Sequence, residues 1–374
     1  MKKRIYFENL DGLRFLCFLS VFMYHSFYTQ NISILQDPIY QFIKHKLFVN
    51  GNLGVNFFFV LSGFLITYLL IEEKRMNEVV DLKSFWMRRI LRIWPLYYFC
   101  VFFGFVLFPI LKQYFGGDPN EHANPIYFIS FLSNFDMIYN ARPDASVLSV
   151  LWSVAIEEQF YLVWPIIIFL VPLKKLWIPF SVIIGSSLVF RAYNNNGLLN
   201  ELHTISCISD MTIGAIGAWL VLLNDEFKMR IVSLSKFAIS SIYILFVFFF
   251  FFRIQFENLG SGFMVFERSI IAILILFIIL EQSYSRNSFF KMSSFKTISS
   301  LGTISYGLYC FHFIGILIVT TLTRVLGFNT QLWQVLILET ILALATSILI
   351  SKISYKYFES PFLKFKNKFS YITK

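Results

Sequence analysis

The sequence predicts an all-α fold, a polytopic bundle of about ten transmembrane helices that forms one domain over residues 1–374. Hydrophobic residues make up 57% of the chain and charged residues only 14%, whereas roughly a quarter of a typical soluble protein is charged. Aromatic residues reach 20%, with 47 Phe. A soluble fold has too little interior for so much apolar surface, and the composition also excludes disorder and small disulfide scaffolds. The lipid bilayer is therefore the first expected partner.

Segments that can cross about 30 Å of hydrocarbon need about 20 mainly apolar residues. The chain offers ten: about 11–29, 53–71, 94–111, 147–171, 176–191, 205–223, 237–252, 265–281, 298–320 and 332–351. No linker separates a second domain. An even number of spans places both termini on the same side of the membrane.

The distribution of Lys and Arg predicts which side that is. With a cytoplasmic N-terminus, 23 of the 32 Lys and Arg fall in cytoplasmic segments, including a short basic tail at about 352–374. Cytoplasmic loops of membrane proteins collect Lys and Arg. The net charge of +10 therefore reflects topology, and we expect no nucleic-acid partner. The prediction is a multi-pass protein of the cell (inner, cytoplasmic) membrane with both termini in the cytoplasm.

The first apolar segment argues against a cleaved signal peptide, and the cysteines argue against a disulfide or zinc scaffold. MKKR followed by an apolar stretch imitates a signal peptide, but no small-residue cleavage site follows, so we interpret the stretch as a retained helix. The four Cys lie in apolar spans without paired spacing, which indicates neither a disulfide framework nor a zinc site. We expect no metal and no permanently bound cofactor.

Ionisable side chains inside spans are costly and by default mark functional sites or interior pairs. The predicted spans contain Arg14, His25, Glu157, Glu158, Asp210, His312 and Glu339. Arg14 and His25 are eleven residues apart, about 20° past three full helical turns, so they share one helix face and lie roughly 16 Å apart. A snorkelling Arg and a structural His are the alternatives for each alone; together they favour function.

Together with His25, the other polar residues predict one polar site in the outer half of the bundle. Glu157 and Glu158 lie near mid-depth of the fourth span, and because adjacent residues point about 100° apart, only one is expected to face a given site. His312 and Asp210 fall in the outer halves of their spans. For Asp210 and Glu339, a structural hydrogen bond between helices is at least as good an interpretation as a functional role. Glu158 and Asp210 are candidates for either acceptor binding or structure.

Three arginines lie at the predicted cytoplasmic mouth of the third span, in the sequence FWMRRILRIWP: Arg88, Arg89 and Arg92. Arg89 and Arg92 are three residues apart and therefore neighbours on one helix face. Guanidinium groups suit bidentate binding of phosphate. The alternative is a set of ordinary positive-inside anchors, but Arg14 at similar depth favours an anion site.

Six blocks of sequence carry a family resemblance. They are LDGLRFLCFLSVFMYH, GVNFFFVLSGFLIT, RRILRIWPLYY, WSVAIEEQFYLVWP, LGTISYGLYCFHF and YKYFESPF, in this order from residue 10 to about 362. The chain resembles the acyltransferase-3 family of integral membrane O-acyltransferases. The family's Arg–His pair and Arg-x-x-Arg signature fall on Arg14/His25 and on Arg89/Arg92.

The resemblance implies transfer of an acyl group, usually acetyl, from cytoplasmic acyl-CoA to a hydroxyl of a surface or exported saccharide or glycolipid. Acetyl-CoA is then a co-substrate held by Arg14 and the three arginines of the third span. His25 is implied as the catalytic general base, with Glu157 orienting it or holding the sugar. His312 is a second candidate base or acceptor-binding residue. Direct transfer and an acyl-enzyme intermediate both remain open.

Several positions depart from the family pattern. Asn56 stands where Asp is common, Ser360 replaces a usual basic residue, and no Arg lies near Cys207, which leaves Asp210 without an obvious partner. We expect a stand-alone form without a fused extracytoplasmic hydrolase-like domain. The competing function is a transporter or flippase that uses the same buried polar residues, although repeated halves are not evident; a membrane protein that has lost activity is a third possibility.

Overall fold

The computed structural model describes residues 6–140, 142–194, 196–257 and 261–369, and these ranges contain helices and no strand. Ten long helices follow one another: α1 Glu8–His25, α2 Leu53–Asn77, α3 Leu82–Tyr114, α4 Ser146–Leu170, α5 Leu173–Tyr193, α6 Gly197–Leu223, α7 Lys236–Arg253, α8 Gly262–Tyr284, α9 Ser305–Val325 and α10 Gln334–Lys366. The all-α prediction is confirmed. The outermost basic residues of both predicted cytoplasmic termini lie outside the described ranges.

Nine of these helices, α2 to α10, are long and apolar enough to cross a membrane within the described part of the chain. The remaining helix, α1, matches the first predicted span but carries Glu8, Asp11 and Arg14 within its 18 residues. It is nevertheless packed into the bundle, since Leu10, Phe18 and Phe22 are fully buried. The ten helices correspond to the ten predicted segments.

Shorter helices connect the long ones. They are Ile32–Leu35, Pro38–Phe42 and the π-helical turn Ile43–Leu47 between α1 and α2, Pro125–Ile129 and Ser133–Tyr139 between α3 and α4, Asp225–Val232 between α6 and α7, and Met292–Ser294 and Lys296–Thr303 between α8 and α9. The predicted ninth span, 298–320, was therefore wrong at its start. The chain leaves the helical conformation at Ile304, where Gly302 packs so closely on the backbone of Asp11 that a Cβ would collide.

The centre of the bundle is a close crossing of α2 and α6. A Cβ on Gly63 would collide with the backbone of Met211, and one on Gly214 would collide with the backbone of Val60. Small residues allow membrane helices to approach at backbone distance. The crossing anchors α2, and α1, α3, α4 and α9 contribute to the same group of helices around it. Their facing sides form the candidate site.

Candidate active site

A cavity of about 230 Å³ lies among α1, α2, α3, α4 and α9. Its polar and charged lining includes Arg14, Arg89, Arg92, Glu157, Ser153 and Tyr309. Along α2 the lining runs from Val55 to Leu69, which corresponds to about 21 Å at 1.5 Å per residue. The arginines lie towards one end, which we call the arginine end, and Ser153 and Tyr309 lie towards the other.

Two guanidinium groups of the cavity lack an anionic partner. Arg89 lies 5.6 Å from the ring centroids of both Phe85 and Tyr161, and its buried Nε has no hydrogen-bond partner among the described residues. No carboxylate of the described ranges lies within ion-pair distance of Arg89 or Arg92. Arg14, in contrast, pairs with Asp11 one turn earlier on α1. The arginine end is thus suited to an anion with more than one charge.

Arg88 does not belong to this group. Its guanidinium lies 3.2 Å from Glu73 and donates to the carbonyl oxygen of Phe369 at 2.6 Å. Neighbouring helix residues point about 100° apart, so Arg88 faces a different side of α3 from Arg89. Arg88, predicted from the sequence as a third donor-binding arginine, therefore does not line the cavity with Arg89 and Arg92.

Beyond the other end of the cavity, two histidines contact each other. Nδ1 of His25, the last residue of α1, lies 3.0 Å from Nε2 of His312 on α9. Nδ1 of His312 lies 2.7 Å from the carbonyl oxygen of Tyr309. The sequence placed both residues in the outer half of the bundle, but their direct contact was not predicted.

The backbone carbonyl assigns the tautomers of this pair. A carbonyl only accepts, so Nδ1 of His312 carries a proton and donates to Tyr309. Its Nε2, in a side chain with no exposed surface, then has a free lone pair and accepts from Nδ1–H of His25. The remaining nitrogen of His25, Nε2, is left unprotonated. The arrangement presents a basic nitrogen at the end of α1.

The side chains of the adjacent glutamates, Glu157 and Glu158, point to different sides of α4, as expected. The contacts described for them do not include either histidine. Glu157 lines the cavity and accepts a hydrogen bond from Ser62 Oγ at 2.5 Å. Glu158 accepts from Trp94 Nε1 at 2.8 Å, and its buried Oε1 has no partner in the described structure. The expected contact between Glu157 and His25 is replaced by the His25–His312 pair, so Glu157 belongs to the cavity.

Asp210 has a partner after all. It lies 2.8 Å from Arg268 on α8 and accepts from Asn56 on α2 at 3.0 Å. Asp210 is fully buried. The expectation that it lacked a partner was wrong because the cation comes from a helix 58 positions later in the chain. Of its two interpretations, the structural one fits this geometry, and Glu339 similarly accepts from Thr323 at 2.5 Å.

A pair of hydroxyl groups at the end of the cavity opposite the arginines was not predicted from the sequence. The hydroxyls of Ser153 and Tyr309 lie 2.7 Å apart, joining α4 to α9. Tyr309 is three residues before His312, so this lining residue lies about 4.5 Å, a little less than one helical turn, from that histidine along α9. The signal was present in SYGLYCFHF, where Tyr309 and His312 share a helix face.

Fold and site together define a multi-pass membrane protein in which helices enclose an arginine-lined cavity beneath a histidine pair. A family model described as an acyltransferase domain matches residues 7–355. The chain therefore belongs to the acyltransferase-3 family, an enzyme family, as the six sequence blocks predicted. Membership favours the acyltransferase prediction over the transporter alternative.

The curated relatives are named as O-acetyltransferases. The chain is 30% identical to O-acetyltransferase OatA of Staphylococcus aureus (strain NCTC 8325) over 378 residues, which cover 96% of this chain and 57% of that protein. It is 29% identical to peptidoglycan O-acetyltransferase OatA of Listeria monocytogenes, covering 96% of this chain and 56% of the relative. The chain thus spans less than three fifths of their length. No solved structure matches it.

Proposed function

We propose that this protein transfers an acetyl group from cytoplasmic acetyl-CoA to a hydroxyl of an exported saccharide, with His25 as general base. The observation that carries the proposal is the chain of contacts from the Tyr309 carbonyl through His312 to His25, which leaves a basic nitrogen beyond the end of an arginine-lined cavity. Family membership and the names of the relatives support the same reaction class.

The arginine end of the cavity is the proposed donor site. CoA carries several phosphate charges, and Arg89 and Arg92 offer guanidinium groups that pair with no carboxylate among the residues the structure describes. The extended pantetheine arm is roughly 15–20 Å long on ordinary bond dimensions, close to the about 21 Å length of the cavity along α2. Phosphates at the arginine end therefore place the thioester near Ser153 and Tyr309, below the histidine pair.

His25 Nε2 is the proposed base for direct transfer. It takes the proton of the acceptor hydroxyl while that oxygen forms a bond to the thioester carbonyl carbon. The resulting imidazolium is doubly protonated, and its Nδ1–H still donates to His312. When the tetrahedral intermediate collapses, the carbon–sulfur bond breaks and the CoA sulfur receives the proton from Nε2. The products are the O-acetyl ester and free CoA thiol, and His25 returns to its neutral form.

His312 is assigned a positioning role in this scheme. It accepts from His25 and keeps Nε2 of that ring free, so it acts through the base. Glu157 is assigned to the donor site, where it lies with Arg89 and Arg92 and reduces the net positive charge. These assignments revise the roles that the sequence resemblance implied for both residues.

The acceptor is proposed from the relatives. The Listeria relative is named for peptidoglycan, whose glycan strands offer sugar hydroxyls. With both termini in the cytoplasm, the base at the end of the bundle opposite the arginines meets such an acceptor on the outer face of the cell membrane. Cytoplasmic donor and external acceptor then approach the histidine pair from opposite sides.

Purified protein in detergent tests the proposal. The substrates are acetyl-CoA labelled in the acetyl group and soluble glycan fragments of peptidoglycan. The expected result is alkali-labile label on the glycan with an equal amount of CoA thiol released. Absence of both CoA binding and turnover would refute the proposal, whereas thiol release without labelled glycan would refute this acceptor only.

A further inference from the structure

The C-terminal end of α1 carries the proposed base and is held by an unusual turn. The last carbonyls of a helix lack partners within the helix. Here the carbonyl of Phe22 accepts from both the backbone N–H and the hydroxyl of Ser26, at 3.0 and 2.7 Å. Phe27 then adopts a left-handed conformation with φ of 67°, which costs about 1–2 kcal/mol for a side chain with a Cβ. Surrounding contacts must hold this turn.

Those contacts come from the segment 38–47, which we call the outer segment, made of the helix Pro38–Phe42 and the π-helical turn Ile43–Leu47. The hydroxyl of Tyr40 donates to the carbonyl of Phe27 at 2.8 Å. Nζ of Lys44 donates to the carbonyls of Tyr24 and Ser26, at 3.1 and 2.5 Å. These two carbonyls belong to the residues on either side of His25.

We infer that Lys44 is a positioning residue for His25: its ammonium group binds the carbonyls on either side of this histidine and so fixes the end of α1. Since the inference deepens the proposed function, it rests on the role given there to His25. Three donor hydrogens of an ammonium allow Lys44 to hold both carbonyls at once. Charge-assisted hydrogen bonds of this kind are about twice as strong as neutral ones.

The groups around this end of the bundle are few. His25 contacts His312 on α9, and the charges of Lys44 in the outer segment and Arg142 before α4 also act on it. Tyr24, beside it on α1, interacts electrostatically with Arg142, Glu201 on α6 and Arg253 on α7. Among the interactions described for Lys44, no carboxylate pairs with it. Nζ of Lys44 also lies 5.9 Å from the ring centroid of Phe27. The hold on α1 therefore depends on the charge state of Lys44 itself.

That charge state gives the inference a pH signature. Burial lowers the pKa of Lys44 to about 8, because a partly desolvated ammonium is less stable than a neutral amine. As pH rises through about 8, the ammonium loses its charge and the two hydrogen bonds become ordinary neutral ones. Acetyl transfer should then decline at mildly alkaline pH. An arginine at this position stays charged throughout that range.

The test compares Lys44→Met and Lys44→Arg with the wild type, with Lys46→Met as the matched control because Lys46 is exposed on the same segment. Initial rates with acetyl-CoA and soluble peptidoglycan fragments are measured from pH 6 to 10. Lys44→Met should lower kcat at least about tenfold, because it removes both hydrogen bonds beside His25 and one charge-assisted hydrogen bond alone corresponds to about that factor. KM for acetyl-CoA should be unchanged. Lys44→Arg should keep kcat and lose the decline near pH 8. Lys46→Met should behave as the wild type.

Wild-type kcat in Lys44→Met overturns the inference, as does a decline near pH 8 in Lys44→Arg that matches the wild type. If Lys44→Met does not fold in detergent, the Lys44→Arg profile decides alone. A wild-type protein without any acetyl transfer would instead overturn the proposed function. The two failures are distinguished by whether the wild type turns over.

Discussion

Nδ1 of His25 lies 3.0 Å from Nε2 of His312, although 287 positions separate the two residues in the chain. The contact joins the end of the first helix to the ninth, directly above the cavity that carries Arg89 and Arg92. The Tyr309 carbonyl accepts a hydrogen bond, so the proton of His312 is on Nδ1. His25 therefore donates from Nδ1 to His312, and Nε2 of His25 stays unprotonated.

His312→Phe should impair catalysis without affecting donor binding. The substitution removes the acceptor for Nδ1 of His25, so the ring can turn or change tautomer, and misplacement of a catalytic group costs about 10²-fold in rate. His312→Gln keeps an acceptor oxygen and should retain more activity than His312→Phe. The measurement is kcat and KM for acetyl-CoA in all three proteins. Equal rates in the two variants would contradict the positioning role.

Arg89→Ala combined with Arg92→Ala should weaken CoA binding at least tenfold. A hydrogen bond to a charged group contributes about 1.5–3 kcal/mol, and about 1.4 kcal/mol corresponds to tenfold in affinity. Arg88→Ala is the matched control, since Arg88 pairs with Glu73 outside the cavity. Calorimetric titration with CoA gives both values. Equal losses in the control and the double variant would argue against a phosphate site at Arg89 and Arg92.

Glu157→Gln should strengthen CoA binding more than Glu158→Gln does, because only Glu157 lines the cavity. The amide keeps the shape of Glu157 and its bond to Ser62 but removes a negative charge that faces the same cavity as the arginines. Less repulsion of an anionic donor should raise affinity about threefold to tenfold at the effective dielectric of a partly buried site. The same titration reads the result. Weaker CoA binding by Glu157→Gln would mean that the carboxylate contacts the donor favourably.

Asp210→Asn should destabilise the helix bundle because Arg268 loses its ion-pair partner. Removing one partner of a buried ion pair leaves an uncompensated charge and costs about 3–5 kcal/mol. The double variant Asp210→Asn with Arg268→Met removes both charges and should recover part of that loss. Thermal unfolding in detergent gives the order of the three proteins. A double variant less stable than Asp210→Asn would contradict the structural interpretation.

Helix positions and one helix face were predictable from local sequence. The ten apolar segments correspond to α1 to α10 because crossing a bilayer demands length and hydrophobicity in one continuous stretch. Arg14 and His25 lie on one unbroken helix, so their spacing of eleven residues suffices to place them on one face. Arg89 and Arg92 line the cavity together for the same reason.

Contacts between distant helices were not predictable in this way. The partners of three contacts lie far apart in the sequence: His25 and His312, Asp210 and Arg268, and the backbone of Asp11 and Gly302. Their pairing depends on how the helices cross. The direction of Glu157 depends on the rotation of α4, which apolar residues around its whole circumference do not specify. The break at Ile304 also depends on packing, since Gly302 meets α1 and not its own helix.

The most direct test of the central proposal is acetyl transfer by His25→Ala, measured beside its CoA affinity. Loss of a general base lowers the rate about 10²–10⁴-fold. His25 does not line the cavity, so the proposed CoA site at the arginine end should be unaffected. The account therefore predicts near-complete loss of O-acetyl ester formation with unchanged CoA binding. Transfer at the wild-type rate by His25→Ala would contradict it.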